Sequence, residues 1–140
     1  MTPFGYLLDT NAISATRQSY KEPRVAELLR SLDPSTLFIS VLTFGEIRKG
    51  LTMKRLKTPN GVENLSRWVE QVERVYASRA LDVDAGIAKL WGELMGGNRT
   101  LPVVDTLLAA TAIVHNLTLV TRNTSVLEGL PVQLFNPWLA

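Results

Sequence analysis

The sequence contains no cysteine and only one histidine among its 140 residues, and these two scarcities exclude several classes of protein. Without cysteine there is no disulfide framework, no iron–sulfur cluster and no thiol nucleophile. A zinc finger would need several histidines to replace the missing thiolates. Any catalytic chemistry must therefore use oxygen-bearing side chains.

A long hydrophobic segment is also missing. The longest apolar stretch, residues 101–114, is interrupted by Pro102 and Asp105. It is shorter than the roughly 20 residues that a membrane-spanning helix needs. The amino terminus lacks a cationic start, so it does not resemble a secretion signal. We therefore expect a soluble, cytoplasmic protein with no membrane partner.

The net charge is also small, because the 15 Lys and Arg residues nearly balance the 13 Asp and Glu residues and leave a net charge of +2. The basic residues are unevenly distributed, since one basic run contains no acid. Such a run suits an anionic polymer, although a solvated helix face has the same composition. The basic run consists of Arg48, Lys49, Lys54, Arg55 and Lys57.

Short apolar runs alternate with helical patterns along the whole chain. This alternation is typical of an α/β protein, and we predict a three-layer α/β/α domain with a central, mainly parallel sheet of four to five strands. The Asp9-Thr10-Asn11 segment is interpreted as a polar turn. No linker or repeat divides residues 1–140, which are expected to form a single domain. The predicted strands are Phe4–Leu8, Leu37–Ser40, Ala80–Val83, Thr118–Thr121 and Val132–Phe135.

Four polar side chains fall near the predicted carboxyl ends of strands. Asp9 ends the first strand and Asn123 follows the fourth, while Glu46 and Asp105 lie early in the helices beside the sheet. Parallel sheets bind ligands at this edge, so we expect the four side chains to converge. A structural alternative exists for Glu46, because Thr43-Phe44-Gly45-Glu46 has the spacing of a helix capping box.

Asp105 is the strongest single indication of a site. Its helix, residues 103–114, otherwise consists of Val, Leu, Ala, Ile and Thr. Burying an unpaired carboxylate costs several kcal/mol, whereas a place in the first helical turn recovers only about 0.3–1 kcal/mol. A divalent cation could offset the difference. The alternative is that Asp105 faces water.

Carboxylates that lie close together repel each other, so that some of them are protonated or a cation lies between them. Carboxylate and amide oxygens are the ligands that Mg²⁺ and Mn²⁺ prefer. Such an ion makes water a better nucleophile and stabilises charge on a phosphate. The acids and the basic run together therefore predict a phosphodiester substrate.

Other chemistries lack their motifs. The sequence has no glycine-rich nucleotide-binding loop. An aspartyl phosphatase would need a second acid at Asn11, and His115 lies at the far end of its predicted helix from Asp105.

Four segments of the chain, in order, resemble the motifs of the PIN-domain family, and the closing Phe135–Trp138 segment is similar to the VapC and FitB toxins of type II toxin–antitoxin systems. The motifs occur in the family's order and extend over essentially the whole chain. They are Leu7–Asn11, Phe44–Gly50, Leu101–Ala112 and Leu119–Asn123.

The resemblance implies a toxin that is a metal-dependent endoribonuclease, with Asp9, Glu46 and Asp105 as catalytic and Mg²⁺-binding (or Mn²⁺-binding) residues. Many relatives carry a fourth acid where this chain has Asn123. An amide adds no charge there, which favours one metal ion over two. Thr121 and Asn11 match polar positions near the family's site.

The family also implies partners: an RNA substrate, a VapB-like cognate antitoxin that covers the toxin, DNA reached only through that antitoxin, and a second copy of the chain in a homodimer. Two alternatives remain open at this point. The domain could work mainly as a module of a DNA-bound repressor complex, or the same acids could serve a structure-specific DNA nuclease.

Overall fold

The computed structural model describes residues 5–97 and 100–140, in which a sheet of five parallel strands lies between two layers of helices. The strands are β1 (Tyr6–Leu8), β2 (Leu37–Ser40), β3 (Ala80–Leu81), β4 (Thr118–Val120) and β5 (Gln133–Phe135). They lie side by side in the order β3-β2-β1-β4-β5. The helices are α1 (Thr10–Arg17), α2 (Pro23–Arg30), α3 (Val41–Lys57), α4 (Glu63–Val75), α5 (Ala85–Met95), α6 (Val103–His115) and α7 (Thr124–Leu127).

Two hydrophobic cores, one on each face of the sheet, hold the layers together. Successive strand residues point to opposite faces. Leu8 and Val120 accordingly pack against α1 to α4, whereas Leu7 and Leu119 pack against α6 and α7. Helix α5 packs on α6. This arrangement confirms the three-layer fold predicted from the alternation of strands and helices.

The predicted strands are confirmed, with shorter bounds at several ends, and Phe4 lies outside the described residues. The interpretation of Asp9-Thr10-Asn11 as a turn is wrong. Helix α1 begins at Thr10, because the Asp9 side chain accepts a hydrogen bond from the Ala12 backbone N–H and caps the helix. A short Asx-type residue before Ala12 and Ile13 is the usual signal of such a start.

The capping box that was the structural alternative for Glu46 is absent. Helix α3 begins at Val41, and the Ser40 hydroxyl caps it by accepting a hydrogen bond from the Leu42 backbone N–H at 3.0 Å. Thr43 and Glu46 therefore lie inside the helix, and Glu46 does not cap it. Within the described residues, no helix has the length and apolar character that crossing a membrane requires.

Candidate active site

The site lies at the middle of the sheet, where strand order reverses around β1. Asp9 follows β1 directly, and its backbone N–H donates to the Val120 carbonyl oxygen at the end of the neighbouring β4 (3.1 Å). Thr121 directly follows β4, and only 1% of its surface is exposed. Such a reversal point at the carboxyl ends of parallel strands is where open α/β sheets bind ligands.

Asp9 is buried, with 4% of its surface exposed. Its Oδ1 accepts a hydrogen bond from the Ala12 backbone N–H at 2.8 Å. The Thr121 hydroxyl is a second hydrogen-bond partner of this carboxylate. These contacts fix the orientation of Asp9 from two sides of the sheet edge.

Glu46 is half-buried and lies in the second turn of α3. The Thr10 hydroxyl donates a hydrogen bond to Glu46 Oε1 at 2.5 Å. Because Thr10 is the first residue of α1, this bond joins the helix capped by Asp9 to the helix that carries Glu46. Sequence reasoning does not single out Thr10, since the two residues are 36 positions apart.

Asp105 is half-buried in the first turn of α6, so part of its surface still faces water. The Asn123 side-chain Nδ2 approaches Asp105 Oδ2 as a hydrogen-bond donor at 3.4 Å. The Asn123 backbone N–H donates to Thr121 Oγ1 at 3.0 Å. Thr121 thus links Asn123 to Asp9.

Burial raises the pKa of Asp9, against the hydrogen bonds from Thr121 and Ala12, and the charges of Asp105 and Glu46 raise it further. Burial also raises the pKa of Asp105, where the Asn123 amide acts in the opposite direction and Glu46 adds to the rise. The three carboxylates therefore interact electrostatically. Among the described residues, no cationic side chain acts to lower the pKa of either aspartate.

The donor chemistry of these residues fits a hard divalent cation, because carboxylate and amide oxygens are its preferred ligands. Among residues 5–97 and 100–140, however, no group of three His, Cys, Asp or Glu side chains is spaced closely enough to hold a metal ion. Asp9, Glu46 and Asp105 are thus electrostatic neighbours whose side chains would have to converge to share an ion.

Two other polar residues from the sequence lie outside this cluster. Asn11 is exposed on α1 and lines a shallow depression beside Arg122 and Trp138. His115 is the last residue of α6, at the opposite end of that helix from Asp105.

Comparison of the sequence with models of known protein families shows the family of this chain. The model of the PIN domain matches residues 6–128. The chain belongs to the PIN-domain family.

Individual relatives agree with this membership. Toxin FitB of Neisseria gonorrhoeae is 30% identical over 136 residues, which cover 94% of this chain and 97% of that protein. VapC ribonuclease Y4jK of Sinorhizobium fredii is 31% identical over 137 residues, covering 94% and 96%. A structure of FitAB bound to an IR36 DNA fragment superposes with a TM-score of 0.81 at 29% identity, covering 95% of each chain.

Proposed function

We propose that this protein is the toxin of a toxin–antitoxin system and acts as a Mg²⁺-dependent endoribonuclease. One observation carries the proposal: a buried aspartate at the reversal point of the sheet has its pKa raised by burial and by two further carboxylates. The names of FitB, a toxin, and Y4jK, a ribonuclease, support it. Residues 1–140 would form one domain of a cytoplasmic protein.

In this proposal Asp9, Glu46 and Asp105 hold Mg²⁺ (or Mn²⁺), and Asn123 serves as a catalytic residue beside them. The ion, when bound, supplies the positive charge that makes water a better nucleophile and stabilises a phosphate. The hydrogen bonds from Ala12 and Thr121 hold Asp9 in place, and the Thr10 hydroxyl orients Glu46. Asn123 orients Asp105 without adding negative charge, which favours a single ion.

The proposal predicts that RNA cleavage requires a divalent cation. The purified chain incubated with a panel of structured RNAs and Mg²⁺ should cut at least one of them, and EDTA should abolish the cutting, because three carboxylates without a cation repel a phosphate. Gel analysis of labelled RNA measures this. Cleavage that persists in EDTA, or its absence on every RNA with Mg²⁺, would contradict the proposal.

The basic run offers a surface for the RNA backbone. Arg48 is engaged, since its guanidinium pairs with both carboxylate oxygens of Glu73 at 2.7 Å. Lys49 and residues 52–57, which contain the other three basic residues, are exposed. They continue α3 beyond Glu46 and would lead phosphates toward the acids.

Reversing two of these charges tests the surface. Lys54→Glu with Lys57→Glu should weaken RNA binding and flatten its dependence on salt, by about 0.7 in the log–log slope for each phosphate that the protein no longer neutralises. Fluorescence anisotropy at several salt concentrations measures both quantities. Lys89→Glu, an equally exposed change on α5, is the control. If the salt dependence of RNA affinity were unchanged in the double variant, the basic run would be a solvated helix face that does not contact RNA.

The proposed partners follow from the same relatives. A VapB-like antitoxin would cover the toxin, and DNA would be reached only through that antitoxin. The structure of FitAB bound to a DNA fragment supports a DNA-bound complex. The chain itself would form a homodimer.

The DNA in the FitAB structure also favours a second candidate function, in which the domain is catalytically weak and works mainly within a DNA-bound repressor complex. The two candidates differ in the cleavage assay described above. Metal-dependent RNA cleavage supports the ribonuclease, and DNA binding by the antitoxin complex without any cleavage supports the repressor module.

A further inference from the structure

A cleft of about 290 Å³ is lined by residues of α1, α3 and α4, and Glu46 is the acid of the candidate site that borders it. Thr10 and Glu46 line it at the acidic end, and Trp68 of α4 lines it at the other. The cleft is therefore continuous with the candidate active site through the Glu46 side chain. Its volume is close to the lower end of the roughly 300–1,000 Å³ range of small-molecule sites.

The lining combines three kinds of group. Ile47, Leu51 and Leu65 make one side apolar. Arg17 lies over the Trp68 ring, with its guanidinium carbon 5.9 Å from the ring centre. Ser14 and Gln18 add hydroxyl and amide groups from α1. A flat apolar surface, a stacked guanidinium and a few polar groups are what proteins use to bind an unpaired nucleobase.

Gly50 keeps the middle of this cleft open. It lies in the interior of α3, where glycine weakens a helix relative to alanine. A Cβ built at Gly50 would meet no atom within 4 Å, so no packing contact of the described residues requires glycine there. The missing side chain leaves free space in the cleft that Gly50 lines.

We propose that this cleft binds the base of a nucleotide adjacent to the cleaved phosphodiester, which rests on the proposed ribonuclease function. A base lying against Arg17 and Trp68 would place its phosphate toward Glu46 and the other acids. Arg17 supplies the positive charge that the acidic end lacks. The cleft thus acts as a subsite for one unpaired base next to the cleaved bond.

Filling the cleft tests the subsite without altering an acid. Gly50→Leu should weaken binding of a fluorescein-labelled, random-sequence RNA dodecamer by about 5- to 150-fold, which corresponds to the loss of one stacked base. Gly45→Leu is the matched control, since Gly45 is also an exposed residue of α3 with no atom within 4 Å of a built Cβ, and it does not line the cleft. It should bind RNA like the unmodified protein.

Binding is measured by anisotropy in EDTA, and thermal unfolding checks that both variants fold. In parallel, UMP and AMP should shift the indole N–H resonance of Trp68, assigned with Trp68→Phe, whereas ribose 5-phosphate should not. Equal RNA affinity of all three proteins, or a Trp68 resonance that neither UMP nor AMP shifts, would overturn the subsite. Because cleavage plays no part in these measurements, an inactive protein whose RNA binding still depends on Gly50 supports the subsite while contradicting the ribonuclease.

Discussion

Asp9→Asn should reduce RNA cleavage by more than about 100-fold, because even groups that only orient metal ligands contribute about 10- to 100-fold. The fold should survive, since Asn caps helices about as well as Asp and still accepts the hydrogen bond from Ala12. Initial cleavage rates with Mg²⁺ and circular dichroism measure the two effects. Retention of full activity would remove Asp9 from the active site.

The same substitution should stabilise the metal-free protein at neutral pH. The pKa of Asp9 is raised in the folded state, so the folded chain holds this proton more tightly than the unfolded chain. The stability therefore falls as pH rises from the ordinary aspartate pKa through the raised one. Asn removes this penalty, and urea unfolding from pH 4 to pH 8 should show a smaller loss of stability.

Asp84→Asn is the matched control for the loss of RNA cleavage. Asp84 caps α5 through a hydrogen bond from the Ile87 backbone N–H at 2.9 Å, as Asp9 caps α1, but it follows the edge strand β3 and not the central strand β1. It should leave RNA cleavage unchanged. A loss of cleavage as large as that of Asp9→Asn would mean that helix capping, and not the site, explains the result.

Thr121→Val should impair catalysis through Asp9. The Thr121 hydroxyl lowers the pKa of Asp9 and accepts a hydrogen bond from the Asn123 backbone N–H. Valine keeps the shape and removes both bonds, so the pKa of Asp9 rises further. The acid limb of the pH–rate profile should move to higher pH. Leaving buried polar groups unpaired should also cost about 1–3 kcal/mol of stability.

Thr111→Val separates these effects from the general cost of a buried hydroxyl. Thr111 is fully buried, and its hydroxyl donates only within α6, to the Leu107 carbonyl oxygen at 2.8 Å. We expect a small change in stability and an unchanged pH–rate profile. Parallel profiles for both variants would show that Thr121 is only a structural residue.

The sequence predicts the sheet well because its strands are short apolar runs whose burial does not depend on fine detail. It also predicts where Asp9 and Asp105 lie, since each is tied to the end or start of an element. The start of helix α1 was not predicted, because Asp9-Thr10-Asn11 has the composition of a turn as well as that of a capped helix start.

The contacts between distant residues could not be predicted. The bond between Thr10 and Glu46 depends on how α1 and α3 pack, and the approach of Asn123 to Asp105 depends on the path of the chain after β4. No local pattern encodes either geometry. The pairing of Arg48 with Glu73, which removes one residue from the basic run, is likewise a product of the packing of α3 on α4.

The central strand β1 comes from the start of the chain, yet its neighbour β4 comes from near the end, with Leu8 paired to Val120. Asp9 can meet Thr121 and Asp105 only when this pairing has formed, and such long-range pairing is slow. A nascent chain therefore emerges from the ribosome without an assembled site. Under the proposed function, a partly synthesised chain in which β4 has not yet paired with β1 would be unable to cleave RNA.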